Sequence, residues 1–312
     1  MHKPESSATD PPSVGIVVVN YNGAAFIGDF ARSLLRVDYP NFRLVIVDNS
    51  SRDGSDEQLR ALFPEAILLR QSGNLGTAGG NNAGIRHCLD AGLDYVLILN
   101  NDTVLTDAFL TTLVAAAGPR TIVVPKILYY QDPTLISTHA GGFDWRFGLF
   151  KNTYHGKPDG PATNKPRDLQ TASFCCALVP TAAFREVGLL DERFFMYYEE
   201  TDWLEQALAK GYRLLYHPQA VIYHLESASS GGGWMTPFKH YYATRNRLYL
   251  VKKHAQSRVW FALFTLYFLG TRLAYLARYA FRRQWRLMRA LTLGVWDYYR
   301  GRMGHTLEPG QL

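Results

Sequence analysis

Residues 97–104 read LILNNDTV, and in this stretch an apolar run that starts at Tyr95 leads directly into Asn100, Asn101 and Asp102. A strand that is apolar along its whole length is typical of a parallel sheet covered by helices on both faces. In open α/β sheets, ligands bind just beyond the carboxyl ends of the strands. This stretch therefore predicts an α/β fold, and a ligand site where the strand ends.

Two earlier runs change from apolar to polar in the same way, VGIVVVNYN at 14–22 and FRLVIVDN at 42–49. The polar residues at their ends are Asn20, Tyr21, Asn22, Asp48 and Asn49. Asparagine and aspartate are ordinary turn formers, which explains any one of these ends on its own. Three such ends at one edge of a sheet instead predict a crevice that binds a polar ligand.

Helical segments lie between the strands, and AAFIGDFARSLLRV (24–37) has its apolar residues at helical spacing. This alternation predicts an α/β fold with a mostly parallel sheet and helices on both faces. We interpret GTAGGNNAG (76–84) as a glycine-rich loop that opens a helix, where Gly76 and Asn81 approach a diphosphate or a sugar. A P-loop or a dinucleotide fold is disfavoured, because neither glycine signature is present at the required place.

The segment YYEETDW (197–203) places Glu199, Glu200 and Asp202 among aromatic residues. Carboxylates beside apolar surface are candidates for a raised pKa and for general-base catalysis. The alternative is an acidic first turn of a helix, which interacts favourably with the helix dipole.

A metal site is a second hypothesis from the residue types. Asp102 at a strand end suits a divalent cation that is also bound by a nucleotide diphosphate, and the alternative is a helix-capping aspartate. His224 follows the apolar run AVIY and is either a structural histidine or a metal ligand.

The C-terminal part of the chain is strongly basic. The net charge of the chain is +6, and from Lys239 onward there are 14 Lys and Arg residues against two acids. The apolar run at 259–281 contains Arg272 and Arg278, and charged side chains are costly inside a bilayer. We therefore interpret this run as a helix that lies in the membrane interface, with the basic residues of 282–289 on anionic headgroups. A core helix that packs on the catalytic domain is the main alternative, and a single span or re-entrant helix is another. No nucleic-acid-binding module is recognisable.

The remaining composition indicates a reducing compartment. The chain has three cysteines, of which Cys175 and Cys176 are adjacent, so no disulfide framework is expected. Residues 1–12 are polar and contain no apolar signal region, which predicts a disordered tail and a cytoplasmic protein.

Seven segments together resemble the bacterial inverting glycosyltransferases of family two, and among them the branch of rhamnosyltransferases that build cell-surface polysaccharides. The segments are VVVNYNG, LVIVDNSSRDGS, NLGTAGGNNAGI, VLILNNDT, GLLDERFFMYYEETDW, GYRLLYHPQAVIYH and HYYATRNRLYLVKKH. They run in order from Val14 to His254. The resemblance implies a GT-A (Rossmann-like) fold, a nucleotide-diphosphate sugar donor and Mg²⁺ or Mn²⁺.

The resemblance also implies a role for individual residues. Asp48 would bind the base, and Asp102 would bind the metal together with His224, since Asn100 replaces the first acid of the family's D-x-D motif. Glu200 stands where the family has its base aspartate, with Glu199 as the reserve and Asp202 as the last acid of that motif. The implied donor-binding residues are Asn20, Tyr21, Asn22, Asp48, Asn49, Gly76, Asn81, Asn100, Asn101 and Arg245.

We therefore expect an inverting, metal-assisted enzyme that moves rhamnose or another deoxyhexose from a dTDP- or UDP-sugar to a lipid-linked or polysaccharide acceptor at the inner face of the membrane. The expected parts are a tail (1–12), a GT-A catalytic domain (13–226), a flexible loop with a connecting helix (227–258) and a basic amphipathic extension (259–312). Arg245 and Arg247 could reach phosphates of the donor or of a lipid carrier. The alternatives are a sugar-1-phosphate nucleotidyltransferase and an inactive sugar-nucleotide-binding scaffold, and no oligomeric state is predicted.

Overall fold

The computed structural model describes residues 11–138, 140–151, 153–225, 236–308 and 310–312. The strands of its first half are β1 (Val14–Asn20), β2 (Phe42–Asp48), β3 (Ile67–Arg70), β4 (Tyr95–Asn100), β5 (Thr103–Leu105) and β6 (Thr121–Tyr129). Those of the second half are β7 (Ala140–Asp144), β8 (Leu149–Lys151), β9 (Arg167–Asp168), β10 (Thr171–Ala172), β11 (Cys176–Pro180) and β12 (Arg213–His224). The helices are α1 (Ile27–Leu34), α2 (Ser55–Leu62), α3 (Gly76–Asp90), α4 (Phe109–Ala115), α5 (Thr181–Val187), α6 (Glu199–Ala209), α7 (Pro237–His254), α8 (Arg258–Phe281) and α9 (Trp285–Tyr299), with a 3₁₀ turn at Glu192–Phe194.

The central sheet has the strand order β3-β2-β1-β4-β11-β6-β12-β5, and β9 also pairs with β12. Its long strands β1, β2, β3, β4, β6 and β12 run in one direction, whereas β11 is antiparallel to both of its neighbours. The predicted α/β fold with a mostly parallel sheet is confirmed. The reversed direction of β11 left no trace in its sequence, because CALVP is buried throughout, as the parallel strands are.

Helices cover both faces of this sheet, which explains why its strands are apolar without alternation. Val14, Ile16 and Val18 of β1 belong to the core beneath α1 and α4. Val17 belongs to the core on the other face, beneath α3 and α6. Each of these side chains is fully buried, which stabilises the fold by about 1.5–3 kcal/mol per side chain relative to exposure.

The interpretation of GTAGGNNAG as a loop is wrong, because α3 already begins at Gly76. The glycines of this segment serve close packing instead. A Cβ atom on Gly84 would lie 2.4 Å from Cγ1 of Val17, and one on Gly80 would lie 2.8 Å from Cγ1 of Val19. Two glycines four residues apart share one face of a helix, so α3 can lie directly against β1.

The C-terminal helices pack on α7. Leu248 and Val251 of α7 share an apolar core with Phe264 and Phe268 of α8. Only 11% of the most apolar 18-residue window of α8 is buried, which disfavours the alternative of a core helix. By length and composition alone, α8 is the one helix in the described residues that could cross a membrane.

Parts of the expected domain organisation lie outside the described residues. These are positions 1–10 of the predicted tail and positions 226–235, which include the first part of the predicted flexible loop. The proposed boundaries at 13, 227 and 259 stay predictions. Cys88, Cys175 and Cys176 are all buried, and none of them forms a disulfide with another described residue.

Candidate active site

The carboxyl ends of β1, β2 and β4 meet around the side chain of Asn20. Its Nδ2 donates to Oδ1 of Asp48 at 2.9 Å, and its Oδ1 accepts a hydrogen bond of 2.8 Å from Nδ2 of Asn101. All three side chains are buried, and buried polar groups need such partners because an unpaired one has lost its water without compensation. The structure thus brings together three of the polar residues that the sequence singles out.

The carboxylate of Asp48 is fixed by the turn that follows β2. The hydroxyl of Ser51 donates to Oδ1 at 2.6 Å, and the backbone N–H of Ser51 donates to Oδ2 at 3.1 Å. A carboxylate can accept about four hydrogen bonds. Oδ2 of Asp48 therefore keeps the capacity to accept one from a ligand.

The end of β2 is also joined to the start of α3. Nδ2 of Asn49 donates to the carbonyl oxygen of Gly76 at 2.9 Å, while Oδ1 of Asn49 is buried and accepts from none of the described residues. Gly76 has φ of +70°, and a Cβ atom there would lie 2.2 Å from the carbonyl oxygen of Phe195. Only glycine fits at this position. Asn81, one turn further along α3, is buried.

Asp102 and His224 lie together at the ends of two strands that are far apart in the chain. Nε2 of His224 is 3.2 Å from Oδ1 of Asp102, yet this buried oxygen accepts a well-oriented hydrogen bond from none of the described residues. Burial raises the pKa of Asp102, but His224 and the side chain of Asn100 more than offset this, and the pKa is lowered. A buried, ionised carboxylate next to an imidazole nitrogen presents two ligand types that divalent cations accept.

The predicted carboxylates stand in the first turn of α6. Glu199 is buried, its Oε1 accepts from the hydroxyl of Thr77, and its Oε2 is buried without a partner among the described residues. Burial and the adjacent charge of Glu200 raise the pKa of Glu199 well above its usual value. Burial also raises the pKa of Glu200, to about 7. The two carboxyls are adjacent and titrate together, so near neutral pH the pair holds a proton that isolated glutamates would have lost.

The chain that leads into α6 has an unusual backbone. Phe195, Tyr197 and Tyr198 have φ angles of +66°, +67° and +74°. Such conformations cost on the order of 1–3 kcal/mol each for non-glycine residues and cluster at functional sites. Nδ2 of Asn246 contacts the carbonyl oxygens of Met196 and Tyr197 at 2.7 and 3.1 Å and so supports this segment.

An open groove in the described residues lies elsewhere. It has a volume of about 500 Å³ and is lined by apolar side chains such as Leu34, Leu62 and Phe63, between α1, α2 and β2. None of the predicted site residues lines it. The candidate active site is therefore identified by its polar chemistry and not by the size of a groove.

Comparison with known families decides the assignment. The model of the family described as Glycosyl transferase family 2 matches residues 15–188, which is more than half of the chain. The chain belongs to glycosyl transferase family 2. The match begins in β1 and ends just after α5, so it includes the strand ends around Asn20 and Asp102 but precedes the carboxylates of α6.

Curated relatives of this glycosyltransferase include enzymes that transfer rhamnose. An N-acetylglucosaminyl-diphospho-decaprenol L-rhamnosyltransferase of Mycobacterium tuberculosis (strain CDC 1551 / Oshkosh) is 27% identical over 78% of this chain and 85% of its own length. A dTDP-rhamnosyl transferase of Shigella flexneri is 23% identical over 76% of this chain and 79% of its own length. The chain is thus a rhamnosyltransferase-like member of the family.

Solved structures agree on the fold. A mannosyltransferase from Pyrobaculum calidifontis in complex with GDP-Man and Mn²⁺ has a TM-score of 0.57 at 15% identity, over 94% of this chain and 89% of its own. GalNAc-T7 with UDP, GalNAc and Mn²⁺ has a TM-score of 0.57 at 16% identity, over 75% of this chain and 48% of its own. These similarities confirm the GT-A fold.

The prediction that Arg245 of this glycosyltransferase contacts the donor is wrong. Arg245 is fully buried, and its Nη1 donates to the carbonyl oxygen of Gly304 and the hydroxyl of Thr306, both at 2.9 Å. Its Nη2 lies 3.2 Å from the carbonyl oxygen of Phe194, and its Nε donates to Asn246. Arg245 therefore holds the C-terminal residues against the segment before α6.

The assignment of Asp202 to the catalytic residues is also contradicted. Its Oδ1 lies 2.7 Å from Nε2 of His254, and its Oδ2 lies 2.7 Å from Nζ of Lys253. Asp202 is 1% exposed. A carboxylate that is buried and paired with two basic groups of α7 anchors α6 and is not available as a base.

Tyr21 and Asn22 differ in their surroundings. Asn22 is exposed, and its Oδ1 accepts from the backbone N–H of Arg52 at 2.8 Å. Tyr21 is half-buried, and its hydroxyl donates to Oε2 of Glu308 at 3.1 Å. The C-terminal residues therefore reach the nucleotide side of the predicted crevice.

Sequence reasoning missed the residues that support this site. The ring of His305 stacks on that of Phe195, with centroids 4.5 Å apart and planes 2° apart. RMGHTLEPGQL (302–312) is polar and rich in turn formers, which is typical of a free tail, so it gave no signal. Thr77 and Asn246 stand within quoted motifs, but nothing in their residue type marks the partners that they find in space.

Proposed function

We propose that this family 2 glycosyltransferase is an inverting, metal-assisted enzyme that transfers rhamnose or another deoxyhexose. The donor would be a dTDP- or UDP-sugar, and the acceptor a hydroxyl of a lipid-linked or polysaccharide glycan. The observation that carries the proposal is the position of Glu200, a carboxylate in the first turn of α6 directly beside the buried Glu199, where burial raises the pKa of both groups.

The donor would lie across the ends of β1, β2 and β4. Oδ2 of Asp48 would accept a hydrogen bond from the nucleobase of the donor. Asn20 and Asn101 would lie beneath the nucleotide and hold Asp48 in place. Asp102 and His224 would hold Mg²⁺ or Mn²⁺, with phosphates and water completing the coordination shell. When bound, the cation offsets the negative charge that develops on the departing diphosphate.

Glu200 would act as the base. An acceptor hydroxyl is a weak nucleophile, so its proton passes to Glu200 while its oxygen bonds to the anomeric carbon and the bond to the nucleotide diphosphate breaks. One such displacement inverts the anomeric centre. When the pKa of a carboxylate is close to the operating pH, a large fraction of the group is ionised and its affinity for a proton is still high, so it is an effective base.

The names of the relatives support the choice of substrates. The Mycobacterium tuberculosis relative is named for a diphospho-decaprenol acceptor and the Shigella flexneri relative for a dTDP-rhamnosyl donor. These substrates are chemically compatible with a protein that has both a polar crevice and an exposed apolar helix.

The apolar surface of α8 supports a place on the inner face of the cell membrane. Val259, Leu263, Leu266 and Leu273 are each at least 60% exposed, and Phe281 is 91% exposed. The arginines that follow at 282, 283, 286 and 289 are exposed as well. An apolar helix face next to a basic cluster is typical of proteins that lie on anionic membranes.

The test is transfer by the purified full chain from dTDP-rhamnose and UDP-sugars, with and without Mn²⁺. We expect Glu200→Gln and Asp102→Ala to reduce transfer by at least a hundredfold, and Glu205→Gln, the same change one turn along α6, to have little effect. Unchanged transfer in both of the first variants would contradict the assignments. Formation of a nucleotide sugar from a sugar 1-phosphate and a nucleoside triphosphate would instead support the nucleotidyltransferase alternative.

A further inference from the structure

Two arginines lie close together where α7 packs on α8, without an acidic partner among the described residues. Arg247 of α7 is 6% exposed, and Arg272 of α8 is half-buried. The Nε atom of each is buried and has no hydrogen-bond partner. The guanidinium carbons lie 5.2 and 4.5 Å from the centroid of the same ring, that of Phe268.

This arrangement is costly for the protein alone. A buried cation is normally paired, because removal from water costs several kcal/mol that a partner must offset. In the described residues, Arg247 donates only to the carbonyl oxygen of Phe147 through Nη2, and Arg272 makes no hydrogen bond. Each guanidinium also faces a second ring, that of Phe264 for Arg247 and that of Tyr275 for Arg272, but cation–π contacts recover only about 0.5–2 kcal/mol each. The pair therefore lacks an anion.

Arg272 also differs from the rest of its helix. It follows Phe264 and Phe268 at intervals of four residues, so it lies on the face of α8 that packs on α7 and not on the exposed apolar face. Arg278, on the same helix, is exposed. A cationic side chain on the packed face of an otherwise apolar helix indicates a specific anionic ligand and not a general attraction to a membrane.

Tyr198 connects the two arginines to the carboxylates. Burial raises the pKa of its hydroxyl, Arg247 and Arg272 lower it, and Glu200 raises it again. The ring of Tyr198 stacks on that of Phe150 with centroids 5.9 Å apart, and the carbonyl oxygen of Phe147, three positions earlier, accepts from Nη2 of Arg247. Tyr198 also directly precedes Glu199 at the start of α6.

We propose that Arg247 and Arg272 bind the diphosphate of a polyprenyl-diphosphate-linked acceptor. Two guanidinium groups can bind phosphate oxygens through paired, charge-assisted hydrogen bonds. The polyprenyl chain would then lie along the apolar exposed face of α8, and the sugar would extend past Tyr198 toward Glu200. This inference rests on the proposed function, and it names the residues that recognise the acceptor.

The first experiment measures binding without any transfer. The probe is farnesyl diphosphate, added to the full chain in a neutral detergent, and the variants are Arg247→Gln and Arg272→Gln. We expect each variant to bind the probe at least tenfold more weakly, Arg272→Lys to recover part of the loss, and Arg278→Gln to bind like the wild type. Unchanged affinity in both glutamine variants, with unfolding temperatures equal to that of the wild type, would overturn the proposal.

Two further arms distinguish other sources of phosphate. The affinity for dTDP and UDP should not change in the glutamine variants, and a tenfold loss there would assign the arginines to the donor instead. Farnesyl diphosphate should compete with the acceptor but not with binding to phosphatidylglycerol vesicles. If Arg272→Gln weakens only vesicle binding, the site recognises a lipid headgroup and the proposal is wrong.

The last arm separates this inference from the proposed function. Transfer is compared between a diphosphate-linked acceptor and an uncharged alkyl glycoside of the same sugar. We expect Arg272→Gln to raise KM at least tenfold for the first acceptor and to leave the second unchanged, whereas an equal loss for both would refute diphosphate recognition. If the wild type binds farnesyl diphosphate through these arginines but transfers sugar to neither acceptor, the result supports the diphosphate-binding site and contradicts the proposed glycosyl transfer.

Discussion

The carboxamide of Asn246 donates a hydrogen bond of 3.1 Å to the carbonyl oxygen of Tyr197, a residue whose φ angle is +67°. The same nitrogen contacts the carbonyl oxygens of Phe194 at 2.8 Å and Met196 at 2.7 Å. These contacts hold a strained segment that directly precedes the carboxylates of α6. The placement of the proposed base therefore depends on a side chain of α7, which belongs to the C-terminal part of the chain.

Removing that side chain should impair catalysis more than folding. We expect Asn246→Ala to lower the free energy of unfolding by about 1–3 kcal/mol, since buried carbonyl groups lose their partner, and to lower kcat at least tenfold. Urea unfolding and transfer rates per folded molecule measure the two effects. Asn41→Ala, a substitution of an exposed asparagine, is the control. An unchanged rate per folded molecule would show that the strained segment keeps its shape without Asn246.

The activity should depend on pH through Glu200. Because its pKa is raised to about 7, kcat/KM should rise tenfold per pH unit below 7 and level off above it. A pH–rate profile between 5 and 9 measures this. A profile that is already flat at pH 5.5 would contradict the assignment of Glu200 as the base.

The same raised pKa has a consequence for stability. In the unfolded chain Glu200 ionises near its usual value of 4.5, so between that pH and about 7 the folded state holds the extra proton, and stability falls as the pH rises. Glu200→Gln should remove this loss and be more stable than the wild type at pH 8 by about 1–3 kcal/mol. Equal unfolding midpoints at pH 8 and pH 5 for both proteins would rule this out.

Metal affinity should increase when the missing acid is restored. Asn100→Asp places a second carboxylate beside Asp102, and carboxylates are preferred ligands of Mg²⁺ and Mn²⁺. We expect the half-saturating Mn²⁺ concentration in the presence of UDP to fall about tenfold, or about 1.4 kcal/mol, and Asp102→Asn to raise it. Electron paramagnetic resonance of bound Mn²⁺ reports both values without any turnover. Identical titrations for the three proteins would place the cation elsewhere.

Asp202 should behave as a structural residue. Asp202→Asn removes the buried anion of His254 and leaves Lys253 with Asp191 as its acidic partner, so it should cost about 2–4 kcal/mol of unfolding free energy. The transfer rate per folded molecule should stay within about threefold, in contrast to Glu200→Gln. A large loss of rate at unchanged stability would restore Asp202 to the catalytic residues.

Membrane binding should depend on the exposed face of α8. Replacing Leu266 and Leu273, which are 70% and 67% exposed, with glutamate removes apolar contacts and adds charges that anionic lipid repels. We expect sedimentation with phosphatidylglycerol vesicles to fall at least tenfold. Leu62→Glu changes an exposed leucine of α2 and should bind like the wild type. Undiminished sedimentation of the double variant would remove α8 from the membrane contact.

The sequence by itself determined the fold class and the group of polar residues at the carboxyl ends of the parallel strands. Continuous apolar strands predict a sheet that is buried on both faces, and polar residues at the ends of parallel strands must meet at one edge. Asn20, Asp48 and Asn101 follow from that rule, because their positions depend on strand direction and length and not on distant contacts.

Only the tertiary structure decided what the other polar residues do. Arg245 and Arg247 stand two positions apart and look alike in the sequence, yet Arg245 is enclosed by carbonyl oxygens while Arg247 lies beside Arg272 from the next helix. Asp202 is two positions from Glu200, but its side chain meets Lys253 and His254 instead of the crevice. The function of a charged side chain depends on which charges and dipoles come within a few ångströms of it. Local sequence patterns fix neighbours along a strand or a helix, whereas these neighbours come from other elements, 25 or more residues away in the chain.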